Sequence, residues 1–343
     1  MNLKSLSAVT LALFIVSIFV YRAENHRGTD LQSGSDFIKG LDVSKIDKIS
    51  LSFKEQKKIT LTRDSDKFVL EDHSSYPAAT DKVNDLIYKV ASISVAEKVA
   101  DGVSGSDLEK FELDEKGRKY LVEIFDNDGK KTVAFSVGKS KKGRGNYLLK
   151  EGGDVVYLST TSLWINSSYK DFIDTVLLDI SKDDIERIAL KSDSEIVFSK
   201  GEESFEPDPA DTREFKKEKF DEYAAAFSSV RFDEFYPFNE EKVKDLTFDK
   251  DVKVQLKSKL VYKVSLAKSD EDEHFVKINA LVENVPERIV VDPNASKEEI
   301  QKIDDMVKAQ EKAGIINSQK GSWVFKVDKS VYEKLVKDSN FFM

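Results

Sequence analysis

The segment Leu-Asp-Val-Ser-Lys at residues 41–45 decides the fold, because it returns 137 residues later as Leu-Asp-Ile-Ser-Lys at residues 178–182. The six residues that follow it, 46–51, match residues 185–190 after an insertion of two residues. Each copy continues with short segments in which apolar and polar residues alternate, a pattern that is typical of β-strands. A repeat of this length indicates that one module occurs twice in the chain.

A helix follows the first strands in each copy at the same offset. Its apolar residues recur at three- and four-residue spacing, which places them on one face of a helix. These residues are Val83, Leu86, Val90 and Ile93 in the first copy and Phe220, Tyr223, Phe227 and Val230 in the second. Further alternating segments follow in both copies. The sequence therefore predicts an α+β fold in which each module is an antiparallel sheet packed with helices.

The second copy contains an insertion, because the matching segments around Tyr157 and Phe325 are 168 residues apart rather than 137. The insertion lies at about residues 285–321. Within it, Ser296 is followed three residues later by Glu299, which is the pattern of a helix capping box. We expect an exposed, charged helix over residues 296–313. The predicted modules are therefore residues 39–177 and residues 178–343.

The first 22 residues predict a membrane anchor. Residues 6–21 carry no charge, and Leu3 and Lys4 extend this run toward the ~20 residues that span a bilayer. A cleaved signal peptide is an alternative, although the small residues of a cleavage site do not follow the run. A cytoplasmic amphipathic segment is a third interpretation of these residues. Residues 23–38 are polar and contain Gly and Ser, so they predict a flexible tether.

Composition and charge argue against several functions. The net charge of -9 disfavours a nucleic-acid partner, because phosphate neutralisation needs a basic face. The chain has no cysteine, which removes thiolate nucleophiles and sulfur-ligated zinc. Its three histidines, His26, His73 and His274, have no second His at helical spacing. We therefore expect no metal, no cofactor and no catalytic residues.

Several short motifs resemble the DUF4340 family, a domain family of unknown function. The motifs are Tyr76-Pro77-Ala78, Phe111-Glu112-Leu113-Asp114, Val137-Gly138, Gly145, Tyr147 and Val156-Tyr157-Leu158. Glu112 stands where the family usually has Gly, and Ala267 replaces the glycine of the first copy at position 138. The resemblance implies a bacterial envelope protein with one membrane-spanning segment and the module present once or twice. It also implies an association with an ABC transporter of the gliding-motility auxiliary type, and it brings no established catalytic residues.

The candidate interaction residues form a basic loop and an aromatic pair. Lys139, Lys141, Lys142 and Arg144 lie in one glycine-containing turn between predicted strands. Such a turn is most simply a solvated hairpin tip, and the alternative is a contact with lipid headgroups or with an acidic partner. The matching turn of the second copy is acidic, at residues 270–273.

Trp164 and Tyr169 lie on a helix that the sequence predicts over residues 160–177. For both residues core packing is the simplest interpretation, and anchoring of an interface is the alternative.

These observations favour a non-enzymatic, membrane-anchored envelope accessory or scaffold protein, an auxiliary subunit of an ABC transporter complex. We expect it in the bacterial cytoplasmic membrane as a single-pass protein, with its modules facing the periplasm or the outside. One alternative is a periplasmic binding protein that holds a lipid or a glycan between the two modules. An envelope hydrolase is a further alternative, which the sequence disfavours because no pairing of a nucleophile with a base is visible.

Overall fold

The computed structural model of this chain describes residues 33–54, 57–209, 211–283 and 296–343. The chain divides into two compact units, Met1–Ile173 and Asp174–Met343. The predicted anchor at residues 1–22 lies outside the described residues, as does most of the predicted tether. Among the residues that the structure describes, no helix is long and apolar enough to cross a bilayer.

Residues 33–38, which the sequence assigned to the tether, are part of the first unit. The backbone N–H of Phe37 donates to the carbonyl of Ile93 at 2.8 Å. The Phe37 ring is 2% exposed and contacts the ring of Phe135, with 5.4 Å between the centroids. The buried ring and backbone hydrogen bonds to Ile93 and Val95 therefore fix a segment whose composition is otherwise that of a linker.

Among its described residues, the first unit contains a nine-stranded antiparallel sheet and two helices. Its strands are β1 (Ile46–Phe53), β2 (Lys58–Asp64), β3 (Lys67–Leu70), β4 (Tyr76–Pro77), β5 (Val95–Ala100), β6 (Tyr120–Asp126), β7 (Lys131–Ser140), β8 (Asn146–Lys150) and β9 (Val156–Ser159). Its helices are α1 (Thr80–Ala91) and α2 (Ser106–Glu109). The strand order is β4-β3-β2-β1-β6-β7-β8-β9-β5, so α1 connects the two edge strands of the sheet.

The second unit contains an eight-stranded sheet, a two-stranded sheet and four helices among its described residues. Its strands are β10 (Val176–Leu178), β11 (Ile185–Lys191), β12 (Glu195–Lys200), β13 (Phe205–Pro207), β14 (Val230–Arg231), β15 (Glu234–Pro237), β16 (Lys250–Leu256), β17 (Leu260–Lys268), β18 (His274–Val282) and β19 (Trp323–Val327). Its helices are α3 (Lys217–Ala224), α4 (Lys297–Lys320), α5 (Lys329–Leu335) and α6 (Ser339–Phe342). The larger sheet has the order β13-β12-β11-β16-β17-β18-β19-β15, and β10 pairs with β14.

The two large sheets have the same order of corresponding strands, from β3 to β5 in the first and from β13 to β15 in the second. Each also has a register shift at the same place. In the first sheet the shift lies between Ile46 and Lys48 of β1, and in the second between Ile185 and Arg187 of β11. The mixed α+β class with antiparallel sheets, as predicted from the sequence, is confirmed.

The predicted helix faces are buried, although both helices end before the last residues of their patterns. The first, α1, ends at Ala91, two residues before the buried Ile93. Val83, Leu86 and Val90 of α1 are each at most 3% exposed. In the second unit α3 ends at Ala224, so Phe227 lies in a short 3₁₀ turn and Val230 begins β14. The side chains of both residues are nevertheless buried in the core.

The helix predicted over residues 160–177 is wrong. The structure has there only a 3₁₀ turn at Tyr169–Phe172 before β10 begins. The backbone of Leu163 bonds elsewhere: its N–H donates to Oδ1 of Asn146, and its carbonyl accepts from the Tyr120 hydroxyl. Side chains from distant strands thus use the backbone groups that a helix would pair internally.

The helix predicted from the capping box is confirmed, and it is longer than expected. In α4 the Ser296 side chain accepts from the N–H of Glu299, and the Glu299 carboxylate accepts from the N–H of Ser296. The helix continues to Lys320 and is largely exposed as predicted, except that Ala309 and Ala313 are buried.

Candidate interaction site

The basic turn between β7 and β8 is tightly closed. The N–H of Lys141 donates to the carbonyl of Gly145 at 3.0 Å, and the N–H of Arg144 donates to the carbonyl of Lys141 at 2.9 Å. Gly143 adopts a left-handed φ of 69°, which glycine accepts without a steric penalty. Lys141, Lys142 and Arg144 are therefore presented by a short, hydrogen-bonded turn, and Lys139 lies at the end of β7.

Two of these cations share one carboxylate. Nζ of Lys141 lies 2.7 Å from Oε1 of Glu97 on β5, and an Arg144 guanidinium nitrogen lies 3.9 Å from the same oxygen. The hydrogen bond from Lys141, helped by both positive charges, lowers the pKa of the Glu97 carboxyl below its usual value. Lys139 and Lys142 are exposed and form no ion pair within the described part of the chain. The turn therefore keeps two free positive charges.

Trp164 is held beside this turn and points into solvent. The hydroxyl of Ser162 donates to the carbonyl of Arg144 at 3.1 Å, which ties the segment to the turn. The N–H of Leu163 donates to Oδ1 of Asn146 at 3.0 Å. Trp164 follows directly and is 76% exposed, so its predicted core packing is wrong.

Asn146 is the residue that joins these parts. It is 1% exposed, its Nδ2 donates to the carbonyl of Gly138 at 3.0 Å, and its N–H donates to Oγ of Ser159 at 2.8 Å. At the neighbouring Gly145 a Cβ atom would lie 2.1 Å from the carbonyl oxygen of Ser159. The basic turn and the Trp164 segment are thus packed backbone to backbone, with no room for a side chain between them.

We define the Trp164 patch as Lys139, Lys141, Lys142, Arg144 and Trp164. Tyr169 is not part of it. The Tyr169 ring lies 4.0 Å from the ring of His73, in the connection between β3 and β4. The N–H of Ala79, just before α1, donates to the carbonyl of Phe172 in the same 3₁₀ turn. The structure therefore brings five of the six predicted interaction residues together and places Tyr169 near the β4 edge of the sheet.

The acidic turn of the second unit is partly paired within that unit. Glu273 lies 2.5 Å from Nζ of Lys326 and 3.2 Å from Nζ of Lys242. Asp272 lies 2.5 Å from Nζ of Lys268. These hydrogen-bonded lysines lower the pKa of both carboxyls below their usual values. The other two carboxylates of the turn, Asp270 and Glu271, are exposed and form no ion pair with the described residues.

Glu97 and Asn146 are site residues that the sequence analysis missed. Glu97 lies 44 residues from Lys141 in the chain, and Asn146 lies 17 residues from Leu163. An Asn after a glycine is also an ordinary turn signal. No spacing rule could have revealed either contact.

The described residues contain no group of three or more His, Asp or Glu side chains arranged to hold a metal ion. Hydrogen bonds and nearby cations lower the pKa of several carboxyls below the usual value, as at Asp42, Glu71 and Asp193. A carboxyl that serves as a general acid near neutral pH needs a raised pKa instead.

His274 makes the stability of the second unit depend on pH. It is 6% exposed, its ring lies 4.6 Å from the ring of Tyr332, and burial lowers its pKa. The unfolded chain binds a proton near the ordinary pKa of ~6.5, whereas the folded unit binds it only at lower pH. Stability is therefore complete above about pH 6.5 and declines as the pH falls toward 5.

Urea unfolding at pH 5 to 8 measures this effect when it is followed by Trp323 fluorescence in a Trp164→Phe background, because Trp323 lies in β19 of the same unit. The His274→Gln variant should lose most of the decline between pH 6.5 and 5. An unchanged pH dependence in that variant would assign the decline to other groups.

The fold and the patch together define a protein of two antiparallel α+β units with an exposed basic and aromatic patch on the first unit. The chain matches the model of the family described as "Domain of unknown function (DUF4340)" over residues 69–251, and it belongs to this family. The family resemblance seen in the sequence is thereby confirmed. The matched segment runs from β3 into β16, so it crosses from the first unit into the second. Searches of curated proteins and of solved structures found no match to this chain.

Proposed function

We propose that this chain is a non-enzymatic, membrane-anchored accessory protein of the bacterial envelope and an auxiliary subunit of an ABC transporter complex. The observation that carries the proposal is the Trp164 patch, in which a 76% exposed tryptophan lies on a segment that is hydrogen-bonded to the turn with two unpaired cations. Tryptophan and arginine are the residues that most often anchor protein–protein interfaces.

The support of the patch favours a protein partner. The free-energy cost of association is smaller when the contact residues are already ordered in the free protein. The bonds from Ser162 and Leu163 hold the backbone next to Trp164, and the Glu97 pair holds Lys141. The free charges of Lys139 and Lys142 would select an acidic partner surface and would speed the encounter.

The membrane anchor at residues 1–22 and the outward orientation of the units remain predictions from the sequence. The link to an ABC transporter rests on the family resemblance. The shared strand order of the two large sheets supports the proposal that the chain arose by internal duplication. The alternative of a lipid- or glycan-binding protein also remains a prediction.

Mass spectrometry of the proteins that co-purify after mild crosslinking in intact membranes tests the proposal. Recovery of permease and ATPase subunits with the full-length chain is the expected result. Replacement of residues 1–22 by a cleavable signal should abolish this recovery. Recovery of the chain alone would contradict the accessory function.

The Trp164→Ala variant should reduce recovery of the partner at least about tenfold, since an interface anchor of this kind is commonly worth 2 kcal/mol or more. The Lys142→Glu variant should weaken the same contact by reversing a free charge. Tyr88→Ala is a matched control, because Tyr88 is 57% exposed but lies on α1. Equal recovery with Trp164→Ala, Lys142→Glu and the control would exclude the patch as the contact surface.

A further inference from the structure

The second sheet has an open groove on its outer face. Successive residues of a strand point to opposite faces, so Lys253 lies on the face opposite to the buried Val252 and Val254. The groove has a volume of about 370 Å³, within the range of small-molecule sites. It is lined mainly by β11, β12, β16 and β17. Its cationic residues are Arg187, Lys191, Lys253 and Lys263.

Two lysines stand directly opposite each other in this groove. Lys253 of β16 pairs with Lys263 of β17 in the antiparallel register. Side chains at such positions have Cβ atoms about 5 Å apart, and like charges there are destabilising. Neither lysine, nor Arg187 beside them, forms an ion pair with any residue in the described ranges. The folded unit therefore holds three neighbouring cations that form no direct ion pair within its described part.

Three carboxylates of the described residues also line the groove, Glu195, Asp251 and Glu283, but none forms an ion pair with Arg187, Lys253 or Lys263. Glu195 is the register partner of Lys191, at the far end of β11. The Asp251 carboxylate accepts a hydrogen bond from the hydroxyl of Ser265 at 2.5 Å. The lining thus holds four cations against three carboxylates, and its excess positive charge is one.

The corresponding face of the first sheet shows that the fold does not require these cations. The register places Glu123 and Ala134 where the second sheet has Lys253 and Lys263. Glu123 lies 3.0 Å from Nζ of Lys131, so its charge is paired. Lys48, at the position of Arg187, lies 2.8 Å from Glu71. The two sheets share one strand order, but the charges at these positions are paired in the first unit and unpaired in the second.

We propose that this groove binds a phosphate-bearing small molecule, with the phosphate group between Lys253 and Lys263 and within reach of Arg187. Three cations suit a multiply charged group better than a single carboxylate. Ala189, Val197 and Val261 form an apolar floor beside the cations, which suits the organic part of such a ligand. This site goes beyond the accessory function and does not depend on it.

Calorimetric titration of the full-length protein with inorganic pyrophosphate, at constant ionic strength, tests the site. Saturable binding to the unchanged protein is expected. The Lys253→Ala/Lys263→Ala double variant should bind at least about tenfold more weakly, since two charge-assisted contacts are lost. The control, Lys302→Ala/Lys312→Ala on the exposed side of α4, changes the net charge equally and should bind like the unchanged protein. No saturable binding, or equal weakening in both double variants, would overturn the proposal.

The Lys263→Glu variant separates a binding role from a structural one. Without ligand it should raise the melting temperature of the second unit by about 1 to 3 °C, because it replaces the repulsion from Lys253 by attraction. It should also abolish pyrophosphate binding. A variant that is less stable and still binds pyrophosphate would contradict the assignment.

Discussion

The Asn146→Ala variant should destabilise the first unit by about 2–4 kcal/mol, because two interior backbone groups lose their partners and each costs about 1–3 kcal/mol. In the native protein the Asn146 amide donates to the carbonyl of Gly138 and accepts from the N–H of Leu163, and its own side chain is buried. Hydrogen-exchange mass spectrometry resolves the two units separately. Peptides of β7, β8 and residues 159–165 should exchange much faster, and those of the second unit should not change.

Asn127→Ala is the matched control, because Asn127 lies exposed in the turn between β6 and β7. We expect that variant to stay within about 0.5 kcal/mol of the unchanged protein. Native exchange rates in the Asn146→Ala variant would show that Asn146 does not hold the Trp164 segment.

The Asn317→Ala variant should destabilise the second unit by about 2–3 kcal/mol. Asn317 of α4 accepts from the N–H of Ala280 and donates to its carbonyl, both at 2.7 Å. The side chain thereby substitutes for a neighbouring strand along β18, since β19 pairs only with residues 274–276. Without it an unpaired strand edge is exposed, and such edges promote association between chains.

Urea unfolding followed by Trp323 fluorescence measures this loss, in a Trp164→Phe background that removes the other tryptophan. Light scattering should show concentration-dependent association of the Asn317→Ala variant. Gln319→Ala, on the exposed side of the same helix, should change neither quantity. An Asn317→Ala protein as stable and as monodisperse as this control would exclude the edge-covering role.

The fold class could be predicted because its signals are local. The three- and four-residue spacing of Val83, Leu86 and Val90 is a direct consequence of helix geometry. The capping box at Ser296 and Glu299 likewise depends on neighbours three residues apart. Local interactions of this kind are visible in the sequence and are present in the structure.

The failures come from contacts between distant residues. The segment 160–177 has helical spacing, yet Asn146 and Tyr120 bond the backbone of Leu163 and keep it extended. The segment 33–38 has a linker composition, yet Phe37 is buried. The residues that contact Leu163 and those that bury Phe37 cannot be identified without the fold.

Only part of the candidate site could be predicted, because only that part is formed by residues close together in the sequence. The four cations lie within one short segment of the sequence, so the sequence alone predicts that they are close together. Its pairing with Glu97 and the position of Trp164 depend on β5 and β8, which meet the turn only in the folded unit. Tyr169 is close to Trp164 in sequence, but it packs against His73 instead.

The central claim is that the Trp164 patch contacts a subunit of a membrane complex. The most direct measurement places a photoreactive phenylalanine derivative at position 164, and at the exposed control position 88, of the full-length protein in intact membranes. We expect a crosslink from position 164 to a transporter permease subunit and none from position 88. Equal labelling from both positions, or labelling of no partner from position 164, would contradict it.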